Sequence, residues 1–212
     1  KQYINSVILG EDMSFFWSHN QDKDDGKRHL YHTLINRDTQ QIHSSYAAFF
    51  KELTTKFIKK HKLDFRVFLG GYINLTFPMK EKGTPHCAHD FPHQQIIMYL
   101  NKSKGGSTAI LSDKRKIIKT IEPKQFKMVS FDGNYLHYQN YPNEGRRVTA
   151  AITFIGKFCS AHVYILHFKG NIKRNGNTFC CCTMSVGVVG YTGRKKSDFS
   201  RNIFNFFHFR LI

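Results

Sequence analysis

Between Phe65 and Ile155 the chain alternates short β-prone runs with turn chemistry at regular intervals, and this rhythm limits its possible folds more than any other feature. The runs fall near 65–77, 84–90, 93–101, 107–111, 116–121, 126–131, 135–140 and 147–155. Between them lie Lys80 to Gly83, Lys102 to Gly106, Ser112 to Lys114, Glu122-Pro123, Asp132 to Asn134 and Tyr141 to Gly145, which supply the glycine, proline, asparagine and aspartate that turns require. Strands this short bury little individually, so they must pair into sheets that cover one another. The spacing predicts a mainly β, two-sheet jelly roll or a small barrel. A jelly roll is open at one end, a natural place for a ligand or a metal.

Upstream the period changes. Asp38 reads as an N-cap with Gln41 three residues on, and Ile42, Tyr46, Phe49, Phe50, Leu53, Phe57 and Ile58 recur at three and four. Lys59, Lys60 and Lys62 crowd the far end, where cations suit the helix dipole. A supporting helix is predicted over about 39–62, its aromatic stripe packed on a sheet. Before it, Val7-Ile8-Leu9 and Phe15-Phe16-Trp17 precede a polar stretch from His19 to Arg28 that reads as an exposed loop. Its aspartates lack the spacing and closing glutamate of a calcium loop. The chain therefore divides into an N-terminal segment (1–64), a β core (65–156) and a basic C-terminal extension (157–212). In the extension, 158–168 suits a strand and 203–209 forms an aromatic-rich end, without a steady period between them. Cys180 to Cys182 with His162 or His167 lack the ligand spacing of a zinc finger.

The formal net charge is +17, and residues 157–212 hold nine Lys/Arg against the single acid Asp198. Such a field favours anionic partners: a small anionic substrate, or weak association with nucleic acid. No apolar run approaches the roughly 20 residues that span a bilayer, and nothing at the start has the form of a secretory leader. Five cysteines, three of them consecutive, do not make a disulfide framework. A soluble, cytoplasmic protein without a membrane partner is expected.

Thr84 to His93 crowds His86, His89, His93 and Asp90 into one short stretch beside a buried strand. Imidazole and carboxylate suit iron or zinc. Read as a strand, the stretch puts His86, Ala88 and Asp90 on one face and Cys87 and His89 on the other. Downstream, His137 follows the turn Asp132-Gly133-Asn134, and Arg147-Val148-Thr149 opens the last core strand. The pattern suggests a metal between two strands with an anion-binding arginine beside it.

Thr84-Pro85-His86, Pro92-His93, Tyr99-Leu100-Asn101, Gly105-Gly106-Ser107-Thr108, Val129 to Gly133 with His137, and Arg147-Val148-Thr149 occur in an order that resembles the Fe(II)- and 2-oxoglutarate-dependent oxygenases. The likeness is greatest to the short prolyl-hydroxylase-like members carried by phages and marine microbes. It covers about residues 65–155. The resemblance implies a double-stranded β-helix in which His86 and His137 bind iron. Arg147 would pair with the distal carboxylate of 2-oxoglutarate, Thr149 would donate to the same group, and Tyr99 would add a hydrogen bond. It also implies oxidation of an unactivated C–H bond, with succinate and CO2 as co-products.

One residue departs from that pattern. Ala88 stands where the family carries its aspartate. The vacated position could take chloride or bromide, as in the family's halogenases. Asp90 could replace the carboxylate through a local bulge. Alternatively, iron binding is lost and the fold remains as an inactive jelly-roll module for an anionic partner such as nucleic acid. The reading taken forward is a hydroxylase or halogenase, with the inactive module as its alternative.

Overall fold

The computed structural model describes residues 1–18 and 29–156 together with the backbone of two further strands, His162–Arg174 and Asn177–Val188. In chain order the strands are β1 (Phe16–Ser18), β2 (His29–Ile35), β3 (Val67–Thr76), β4 (Gln94–Tyr99), β5 (Lys104–Gly105), β6 (Thr108–Leu111) and β7 (Ile117–Ile121). They continue as β8 (Lys127–Asp132), β9 (His137–Gln139), β10 (Pro142–Glu144), β11 (Arg147–Ile155), β12 (His162–Arg174) and β13 (Asn177–Val188). Helix α1 spans Ala47–Lys60. An eight-stranded sheet runs β1-β2-β3-β11-β4-β8-β12-β13, against a three-stranded sheet β7-β6-β9 and a small pair β10-β5. The pairings are antiparallel. The molecule is mainly β, with the jelly-roll architecture that the rhythm of turns predicts.

Alternation along β4 and β11 assigns the two faces of the large sheet different tasks. Ile96, Met98, Val148, Ala150, Ile152 and Phe154 join Ile73, Leu75 and Leu100 in one buried cluster with Ala47, Phe50, Phe57 and Ile58 of α1. The helix covers this outer face. On the inner face Ile97, Tyr99, Val129 and Phe131 meet Ile110 and Ile121 of the small sheet. That inner cluster is much the smaller. The polar Gln95, Thr149 and Arg147 share this inner side, and with Ile97 and Ala151 they line a cavity of about 570 Å³ between the sheets.

Two sequence expectations need correcting. The helix begins at Ala47, whereas the capping pattern put its start near 39. Asn36 Oδ1 accepts the backbone N–H groups of Asp38 and Thr39, and Gln40 is left-handed at φ 58°, so this stretch closes a turn. Ile42 is accordingly 62% exposed. The stretch 84–90 is a loop with one isolated bridge, His86 to His137, so strand parity does not apply to it. Pro85 and Pro92 lack the N–H that would extend a ladder. In addition, β1 and β2 give the N-terminal segment strands where short apolar runs alone were expected. The 19–28 loop, residues 189–212, and the side chains of Cys180 to Cys182, His162 and His167 lie outside the described residues.

Candidate active site

Arg147 opens β11 at one end of the cavity and is 3% exposed. Its Nε donates to the Gly106 carbonyl at 2.7 Å, Nη1 to Gln139 Oε1 at 2.7 Å and to Thr149 Oγ1 at 3.4 Å, and Nη2 to Thr108 Oγ1 at 3.1 Å. The guanidinium carbon lies 5.5 Å from the centre of the Tyr99 ring. Gly106 is left-handed at φ 82°, and a Cβ there would come within 2.7 Å of Arg147 Cδ. Every one of these partners is neutral. Elsewhere, ion pairs join Arg37 to Asp38, Lys56 to Glu52 and Lys104 to Glu144. Burial lowers the pKa of Arg147, with the Tyr99 phenol acting in the opposite direction. A buried cation with no acid beside it is costly. Facing a cavity, such a group could hold an anion.

His86 and His137 line the same cavity. Their backbones exchange both hydrogen bonds at 3.0 Å, which brings a loop residue against β9 and sets the ring centres 4.8 Å apart. His86 Nδ1 lies 2.9 Å from the Thr84 carbonyl and His137 Nδ1 lies 3.1 Å from the Tyr135 carbonyl. A carbonyl only accepts, so each Nδ1 carries the proton and each Nε2 keeps its lone pair. Burial, with His86 beside it, pushes the pKa of His137 down to about 3. It is therefore a neutral imidazole, the form a metal binds. The Phe131 ring meets it edge-on at 5.1 Å. This donor set fits a divalent first-row ion on two Nε2 atoms.

A third protein carboxylate is not in place. Ala88 offers only its carbonyl, which accepts from Arg37 Nη1 at 3.3 Å. Asp90 is exposed and lies outside the cavity lining. Among the described residues no group of three His, Cys, Asp or Glu side chains could hold a metal ion.

Tyr99 and Thr149 stand beside Arg147. The Tyr99 hydroxyl pairs with Thr108 Oγ1 at 2.8 Å and donates to the Ile121 carbonyl at 3.3 Å, so it holds Thr108 and its ring backs the guanidinium. His89 and His93 stay off the cavity lining: His89 Nε2 pairs with Thr153 Oγ1 at 3.0 Å, and buried His93 fills the space that a Cβ on Gly133 would need. Burial lowers both rings, His89 to about 4. Cys87 lines the cavity and its thiol donates to the Asn134 carbonyl at 3.3 Å.

Sequence reading missed Gln139, Thr108 and Gln95 as site residues. Gln139 lies two residues beyond His137 and so shares its side of β9, a signal available in the spacing. Thr108 and Gln95 carry no such mark.

No protein-family model matches the chain, and no curated protein does. Solved structures do. An oxidoreductase of the 2OG-Fe(II) oxygenase family from Burkholderia pseudomallei aligns with a TM-score of 0.50 at 10% identity, over 59% of this chain and 68% of that one. A Pseudomonas putida prolyl-4-hydroxylase aligns at 0.43 and 15% identity, over 62% and 73%. At 10% identity the first likeness speaks for fold alone: the chain is built on the jelly-roll fold of a 2OG-Fe(II) oxygenase family protein.

Proposed function

We propose that this chain is an Fe(II)/2-oxoglutarate-dependent oxygenase-type enzyme that oxidises an unactivated C–H bond. The observation that carries the reading is the buried, acid-free guanidinium of Arg147, in one cavity with two histidines whose Nε2 lone pairs are free for a metal. His86 and His137 would hold the iron, which when bound supplies dioxygen activation coupled to oxidative decarboxylation of 2-oxoglutarate.

The chain's own residues do the remainder. Arg147 would donate to the distal carboxylate of 2-oxoglutarate from the Nη2 N–H that its neighbours leave open, and from Nη1 once the 3.4 Å contact to Thr149 gives way. Gly106, Gln139 and Thr108 hold that plane before the anion arrives, so little orientation is left to be lost on binding. The Thr149 hydroxyl, on the cavity wall next to Arg147, can add a donor to the same carboxylate. Ile97 and Ala151 make the wall between the two ends apolar.

Halogenation is a second reading, motivated by Ala88. With no carboxylate at that position, chloride or bromide would complete the metal's coordination. The basic net charge of +17 favours an anionic substrate in either case. Anaerobic addition of Fe(II) and then 2-oxoglutarate to the purified protein tests the first reading. A visible charge-transfer band that needs both additions, and that is absent in His137→Ala, is expected. A chain that retains no iron and gives no band would leave the inactive binding module as the better account.

A further inference from the structure

We infer that the Gln95 carboxamide oxygen is the third protein contact of the metal site, in place of the carboxylate that position 88 lacks. This rests on the iron reading above and decides within it. Gln95 is 4% exposed and its side chain lines the same cavity as His86 and His137. Its Oε1 is buried and has no hydrogen-bond partner. A buried amide oxygen without a donor is uncommon, because desolvation is left unrepaid.

The neighbours show why no protein donor reaches it. In register, Gln95 lies between Thr153 of β11 and Phe131 of β8. Thr153 Oγ1 is already engaged by His89 Nε2 and the Gly70 carbonyl. Phe131 has no polar atom to offer, and its ring stands 5.1 Å from that of His137. The oxygen is thus left for something that enters the cavity on the histidine side. A divalent cation suits it: an amide carbonyl is a hard, neutral oxygen ligand of the kind that completes sites of mixed imidazole and oxygen donors. Gln95 would then occupy the position that a halide needs, and the site would hydroxylate.

Co(II), as a stand-in for Fe(II), is titrated into the full chain, with visible absorption as the readout and thermal melting as the check on folding. Gln95→Leu is expected to weaken Co(II) binding about 10- to 100-fold, the scale of losing a tuned contact around a metal. Gln95→Glu, nearly isosteric, should bind Co(II) more tightly than the parent chain. The parent's spectrum should not respond to chloride, whereas that of Gln95→Leu should, because the position is then open. In an Ala88→Asp background, Gln95→Leu should have little effect. Binding that His137→Ala abolishes but Gln95→Leu and Gln95→Glu leave unchanged would overturn the assignment of Gln95 alone. Absence of Co(II) binding in the parent chain, indistinguishable from His137→Ala, would overturn the iron reading and this inference with it.

Discussion

The two ends of the cavity are built on different principles. At the arginine end, one guanidinium is gripped by Gly106, Gln139, Thr108 and Thr149 and backed by the Tyr99 ring, with partners drawn from β4, β6, β9, β11 and the turn before β6. At the histidine end, His86 sits in a loop and meets β9 through a single isolated bridge. The first end is held by paired strands of both sheets before any ligand arrives. The second has two imidazoles brought together, one of them from a loop. The difference teaches where the site can vary: a residue in a two-bond bridge or a loop can be exchanged without disturbing a ladder, whereas Arg147 stands in a paired strand with hydrogen-bond partners on both sheets.

The largest expected effect breaks the arginine end. Arg147→Met should weaken 2-oxoglutarate binding by about two to three orders of magnitude, since a bound carboxylate would lose its buried charge partner. The same variant should unfold at a temperature close to the parent's, because a buried cation without an acid contributes little net stability in the absence of the anion. Anaerobic titration with 2-oxoglutarate and a thermal melt of the ligand-free protein measure the two. A variant that binds 2-oxoglutarate as the parent does would end the comparison.

Next in size is Gly106→Ala. The left-handed φ of 82° and the approach to Arg147 Cδ should together cost about 1–3 kcal/mol of stability. They should also loosen 2-oxoglutarate binding without touching metal binding, which urea unfolding and the two titrations would separate.

The folded protein should also weaken in mild acid. Burial lowers His61, at the end of α1, and His89, beneath the cavity, each to about 4. The unfolded rings take up protons near 6.5. Between those values the unfolded state binds more protons, so stability falls as pH falls from 6.5 towards about 4 and is unaffected by these groups above it. With solvent screening allowed for, each contributes about 1 kcal/mol. Unfolding midpoints in urea at pH 7.5, 6 and 5 should decline in that order, and His89→Gln should flatten the decline.

The smallest change sharpens the arginine end. Tyr99→Phe removes the hydroxyl that holds Thr108 but keeps the ring under the guanidinium. A loss of about 1 kcal/mol, or several-fold in 2-oxoglutarate affinity, is expected. A loss as large as that of Arg147→Met would mean that the phenol, not the guanidinium, meets the anion.

Much of this molecule can be read locally. Turn residues punctuate the core strands closely enough that the expected 147–155 coincides with β11, 116–121 differs from β7 by one residue at its start, and 126–131 differs from β8 by one residue at each end. His86, His137 and Arg147 stand out because histidine and arginine beside turns and strand starts carry chemistry that a core does not need. The helix start was misread because the aromatic period continues upstream of Ala47, while a single Asn36 side chain diverts the backbone into a turn.

By itself, then, the sequence determined the strand rhythm, the helix that covers one face, and four of the residues in the cavity, His86, His137, Arg147 and Thr149, because turn propensity and alternation act between neighbours in the chain. Tertiary structure alone decided that Arg147 has no acid beside it among the described residues, that Thr108 holds it, that His86 reaches His137, and that the Gln95 oxygen is left without a donor. Each of these depends on which strands lie side by side. That pairing is set by how two sheets close on a shared interior, and residues far apart in the chain carry no local mark of it.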